Sequence, residues 1–126
     1  ICILLKTVLL LGYVPSASME PTIASGSYIL GIRLFGDLER GDVVVISQEG
    51  RWLVKRIAAV PGDCVAVNDV TGTVAVNGPL NGTTRVLTVP EDCYFMLGDN
   101  QAVSVDSRFW NEPFITRGQI LARVIQ

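Results

Sequence analysis

Histidine is absent from all 126 residues of this chain, and that gap removes more chemistry than any other feature of its composition. Ser-His-Asp hydrolases, Cys-His proteases and most zinc hydrolases need an imidazole as base or ligand, so they are excluded. Acid–base work is left to carboxylates, Lys, Tyr or Cys. Cysteine is scarce too: Cys2, Cys64 and Cys93 are odd in number, widely spaced and without a C-x-x-C pair. Such a set builds neither a zinc site nor a disulfide framework. Buried free thiols are the expectation, with a Cys64–Cys93 bridge left open. Charged residues make up only 17%, the formal net charge is −2, and Lys and Arg form no run. Nothing there suits a nucleic acid. No repeat, no low-complexity tract and no sustained 3.6-residue apolar period occurs.

What remains is an apolar, turn-rich chain, 49% hydrophobic, with a mean hydropathy of +0.43. Its length suits one domain around one core. Residues 1–14 are nearly all apolar but fall short of the roughly 20 residues that span a bilayer. Residues 1–7 read either as the end of an N-terminal membrane segment or as a buried first strand, and residues 8–14 read as strand. Further strands are expected at Val43–Ser47, Trp52–Val60, Cys64–Asn68, Thr73–Asn77, Thr83–Val89, Cys93–Leu97 and Gln119–Ile125, each bounded by Gly, Pro, Asn or Asp turn signals. One short helical piece is expected around Ser104–Trp110. The fold class is therefore mainly β, with antiparallel sheets forming a partly barrelled domain over residues 8–126.

Three segments carry chemistry. Ser16 and Ser18 stand two apart between Pro15 and Pro21, in a stretch that the prolines stiffen. Lys55 is centred in a strand, on the same face as Leu53, Ile57 and Ala59 by the alternation of side chains. A serine hydroxyl needs a base before it can attack a carbonyl, and without His the amine of Lys55 is the candidate. A free lysine titrates near 10.4, so the site must desolvate it; apolar neighbours do that and a carboxylate pressed against it does the reverse. The third segment runs from Gly98-Asp99-Asn100 to Ser104-Val105-Asp106-Ser107-Arg108. Asp106 and Arg108 are close enough to pair across a tight turn, with Ser104 beside them.

Taken together, Ser16-Ala17-Ser18-Met19-Glu20-Pro21-Thr22, Arg40-Gly41-Asp42-Val43-Val44, Lys55-Arg56-Ile57-Ala58-Ala59-Val60-Pro61-Gly62-Asp63 and the Gly98–Arg108 segment resemble the boxes of type I signal peptidases, in family order. The resemblance is to the bacterial Ser-Lys branch and spans residues 15 to 110. It implies Ser18 as nucleophile, Lys55 as general base, and Ser16 with the Ser18 N–H as oxyanion hole. Ser104 would orient the lysine, and Asp99, Asp106 and Arg108 would support the site. Val14, Met19, Ile23, Leu53, Val54 and Val105 would line the substrate pockets. It further implies a membrane-associated endopeptidase without cofactor or metal, acting on signal-peptide-bearing preproteins after small residues of the Ala-x-Ala type. The site would work at the extracytoplasmic face of a bacterial cell membrane, against the membrane surface. Only 42 residues separate Lys55 from Gly98, so the form is minimal and lacks a large cap domain. Gln101-Ala102-Val103 and Asn111 depart from the family pattern. The alternatives are a self-cleaving Ser-Lys repressor-type domain and a non-catalytic membrane-proximal β module.

Overall fold

A computed structural model describes residues 8–125. The expectations for residues 1–7, Cys2 among them, lie outside these residues. Ten strands follow one another: β1 (Leu9–Val14), β2 (Ser27–Ile32), β3 (Val43–Gln48), β4 (Arg51–Ala59), β5 (Cys64–Asn68), β6 (Thr73–Val76), β7 (Arg85–Thr88), β8 (Cys93–Leu97), β9 (Phe114–Thr116) and β10 (Ile120–Val124). They form a seven-stranded sheet in the order β1-β2-β10-β3-β4-β8-β9 and a three-stranded sheet in the order β6-β5-β7. All pairings are antiparallel. The larger sheet is open, with β1 and β9 at its edges, so the partial barrel does not close.

The strands form where β-branched and apolar residues alternate or run together between turn residues. β3 is central and buried on both faces. Val43 and Val45 join Leu10, Val14, Met19, Ile29, Ala122 and Val124 in one core, while Val44 and Ile46 join Ile57, Tyr94, Met96, Ile115 and Ile120 in another. Phe95, Ala59, Val65, Val67 and Val89 form a third core between the two sheets. A central strand carries its side chains to both sides, which is why β3 reads as an unbroken apolar run.

Two strands escape the sequence reading. β2 follows the turn at Ala24–Ser27 and contains Gly31, so it lacks a clean alternating signal. β9 has only three residues. The expected helix around Ser104–Trp110 is also absent: the segment is a set of turns. Its polar side chains compete for backbone groups, since Met96 N–H donates to Ser107 Oγ at 2.8 Å and Gly98 N–H to Asp106 Oδ2 at 3.0 Å. These bonds pin the side chains to β8 and its end, and Arg108 N–H donates locally to Asp106 Oδ1 at 3.3 Å, a bond of the kind that competes with helix. One 3-10 turn forms instead at Arg117–Gln119. Cys64 and Cys93 are free thiols, but Cys64 is exposed and Cys93 half-buried, so the expected burial does not hold.

Candidate active site

The chain leaves β1 at Val14 and folds residues 15–26 into a compact loop before β2. Ser25 Oγ donates to the Pro15 carbonyl at 2.9 Å, and Ile23 N–H to the Met19 carbonyl at 2.9 Å. Met19 is fully buried in the first core and anchors the loop from beneath. This leaves Ser16 exposed and Ser18 half-buried at the surface, their hydroxyl oxygens 3.3 Å apart.

Lys55 projects from the middle of β4, paired in register with Val44. It is 3% exposed. Its amine donates to Ser104 Oγ at 3.0 Å, and Ser104 in turn donates to Asp106 Oδ2 at 2.8 Å. Asp106 has no exposed surface and also accepts from Arg108, Nε to Oδ1 at 2.8 Å and Nη2 to Oδ2 at 3.0 Å. Burial is the main influence on Lys55 and holds its proton affinity below that of a free lysine; Asp106 opposes this and Arg108 adds to it. The serine hydroxyl therefore separates the amine from the carboxylate, while Arg108 neutralises that carboxylate. This is the arrangement a lysine base requires, because a bare carboxylate against the amine would keep it charged.

The two serine-bearing segments are joined directly. Asn100 N–H donates to the Ser18 carbonyl at 2.8 Å. Gly98 lies between them, so close that a Cβ placed there would fall 2.7 Å from the Ser18 carbonyl oxygen and 2.5 Å from Ser104 Cβ. Only glycine fits such an approach. Asp99 pairs with Arg56 through two 2.8 Å hydrogen bonds. That guanidinium holds the Asp99 carboxyl below the usual carboxylate range. Arg56 also donates to the Gly41 carbonyl at 2.7 Å, tying the Arg40–Asp42 turn to the same region.

Ser18 and Lys55 line one open cleft of about 590 Å³, together with Val14, Ser16, Leu53, Val54 and Val105. Of the expected pocket residues, Met19 and Ile23 are not in its wall; both pack in the core below. The inward turn of the loop directs Met19 away from solvent. Ser104, Asp99, Asp106 and Arg108 sit behind the cleft rather than in it. Sequence reasoning missed Tyr13, Arg51, Trp52, Val103 and Trp110, which also line the cleft. Trp52 is within reach of inference, since it stands two residues before Val54 on the same face of β4; Trp110 arrives only through the turns after Ser104.

Comparison with known proteins shows the family of the chain. The family model described as "Signal peptidase, peptidase S26" matches residues 1–81 and 78–126. The chain belongs to the signal peptidase family, peptidase S26. It is 33% identical to a probable signal peptidase I-2 of Synechocystis, over 88% of this chain and 59% of that protein. It is 31% identical to a signal peptidase I of Pseudomonas aeruginosa, over 82% of this chain and 56% of that one. A solved signal peptidase I from Enterococcus faecalis superposes with a TM-score of 0.56 at 25% identity, covering 74% of this chain and all of that structure. The chain thus spans a little over half the length of the first of these relatives. The repressor-type and non-catalytic readings find no support in these matches.

Proposed function

We propose that this member of the signal peptidase family is a serine endopeptidase that removes signal peptides from preproteins after small residues, with Ser18 as nucleophile and Lys55 as general base. The observation that carries the proposal is the buried Lys55 amine, held by Ser104, in the same cleft as Ser18. In its neutral form that amine accepts the Ser18 proton as the hydroxyl oxygen attacks the scissile carbonyl. In this reading the Ser18 N–H and the Ser16 hydroxyl, whose oxygen lies 3.3 Å from Ser18 Oγ, donate to the developing oxyanion, an interaction whose loss typically costs about 100-fold in rate. The protonated amine then passes its proton to the leaving amine. Water activated by the same lysine hydrolyses the acyl-enzyme.

The apolar walls at Val14, Leu53, Val54 and Val105 are assigned on this reading to small side chains on the substrate. Membrane association is supported by the outer face of the β1–β2 hairpin. Leu11 and Leu30 are cross-strand partners, as are Tyr13 and Tyr28, and they are 72%, 41%, 57% and 71% exposed. Apolar and tyrosine side chains together suit the lipid–water boundary. No helix among the described residues is long and apolar enough to cross a bilayer. Signal-peptide-bearing preproteins and a bacterial membrane surface, approached from the extracytoplasmic side, are the partners this reading assigns.

The direct test incubates the chain with a preprotein carrying an Ala-x-Ala site. Ser18→Ala and Lys55→Ala should each abolish processing while the far-UV circular dichroism stays that of the parent. Near-parental turnover by either variant overturns the dyad.

A further inference from the structure

The segment between β8 and β9 carries Ser104 but has no strand or helix of its own. Hydrogen bonds hold its shape. Some come from its own sheet, such as Ser107 N–H to the Met96 carbonyl at 3.1 Å. Two cross over from the three-stranded sheet. Arg108 Nη1 donates to the Gly72 carbonyl in the β5–β6 turn at 2.9 Å. Arg85, the first residue of β7, donates from Nη2 to the Arg108 carbonyl at 2.9 Å. From the smaller sheet Arg108 is thus held at Nη1 by one turn and at its backbone by one arginine, while its Nη2 also donates to the Gln101 carbonyl at 3.0 Å within its own loop.

Arg85 is itself aimed by Asp69. Its Nε lies 2.9 Å from Asp69 Oδ2 and its Nη2 lies 2.9 Å from Asp69 Oδ1, while Thr84 Oγ1 donates to Asp69 Oδ2 at 2.6 Å. As an ion pair this contributes little to stability, since the side chains are 35% and 44% exposed. Its consequence is geometric: a carboxylate engaging both nitrogens fixes the plane of the guanidinium, leaving Nη2 directed at the Arg108 carbonyl.

We propose that Arg85 and the Asp69–Gly72 turn form a latch through which the three-stranded sheet positions Lys55, acting by way of Arg108, Asp106 and Ser104. Arg85 is then a positioning residue, remote from the reacting atoms. The inference rests on the reading of Lys55 as general base. Each link is a direct hydrogen bond: Arg85 to Arg108, Arg108 to Asp106, Ser104 to Asp106, Lys55 to Ser104. The charged groups bearing on the amine are Asp106 and Arg108; Arg56 and Asp99, from neighbouring positions of β4 and the same loop, satisfy each other. Releasing Arg108 admits water beside Lys55 and withdraws a positive charge, and both changes strengthen the lysine's hold on its proton.

The chain has two lysines, Lys6 and Lys55, so a carbon-13 label on the lysine side chains gives a spectrum that Lys55→Ala assigns outright. Titrated by NMR, Arg85→Ala should move the Lys55 midpoint to higher pH. Its kcat on a preprotein should fall by up to about 100-fold, the scale of a misplacement of about 1 Å at a catalytic group, with KM little changed. Asp69→Asn should move both in the same direction by less, and Arg85→Lys should recover part of the loss. Asp69→Asn also carries the test if Arg85→Ala does not fold. An unchanged midpoint and kcat in the folded variants overturn the latch. A parent protein that titrates normally yet cleaves nothing overturns the base assignment instead, and the NMR midpoints still decide the latch.

Discussion

Lys55 shows how far burial alone can set chemistry. A lysine side chain 3% exposed, facing a hydroxyl rather than a carboxylate, loses more by desolvation than Asp106 returns across Ser104. Because the folded state holds this proton less firmly than the unfolded chain, the unfolded state binds more protons between the folded midpoint and about 10.4. Stability contributed by this group therefore rises with pH through that window. Lys55→Met, which removes the amine but keeps the stem, should be more stable than the parent at neutral pH. Its advantage should shrink as pH climbs toward the unfolded midpoint, a trend that urea denaturation at several pH values checks. If Lys55 is the general base proposed above, the same depression should put the rising limb of kcat/KM against pH below the range of a free lysine. Gly98 belongs at this scale as well. Gly98→Ala forces the new methyl into Ser104 and the Ser18 carbonyl and should destabilise by about 1–3 kcal/mol, as overpacking does. It should depress kcat too, and a melting curve beside a turnover assay separates the two effects.

At the scale of elements, the strands were legible wherever the residues kept a two-residue period or a solid apolar run. Cys64–Asn68 and Cys93–Leu97 fall where they were expected. β2 was not legible, because its place in the sheet depends on inward Gly31 fitting against Ala122 and on outward residues that stay apolar. The Ser104–Trp110 segment, expected as a short helical piece, forms turns because Asp106 and Ser107 spend their side chains on the backbone of β8 and its end. β4 and the loop after β8 are stitched by Arg56 and Asp99. Asp99→Asn should weaken this half-buried pair and cost about 1–3 kcal/mol, the penalty for an under-satisfied charged partner. The loss should vanish in acid, once pH falls through the depressed carboxyl midpoint and Asp99 itself becomes neutral. Thermal melts of both proteins across the acid range measure it.

For the whole molecule, the consequence of the fold is that an open cleft and an apolar sheet face share β1. Val14 and Tyr13 line the cleft, while Leu11 stands on the outer face beside Leu30. On the proposed function, a substrate segment emerging from a bilayer would meet Ser18 without leaving the lipid boundary. Replacing Leu11 and Tyr28 by Ser should weaken cosedimentation with phospholipid vesicles several-fold, at about 25 cal/mol for each Å² of apolar surface no longer buried. Cleavage of a short soluble peptide should be unaffected, because neither residue lines the cleft.

Composition and motif order determined by themselves that these 126 residues supply no imidazole, that the chain is mainly β, and which serines and lysine to consider. They do so because residue type limits chemistry and alternation limits secondary structure. Only the tertiary structure decided that Met19 and Ile23 lie beneath the cleft, that a hydroxyl stands between Lys55 and Asp106, and that the smaller sheet reaches Arg108. Each of these depends on contacts between residues far apart in the chain, from Lys55 to Ser104 and from Gly72 to Arg108, and no local pattern encodes where such partners meet.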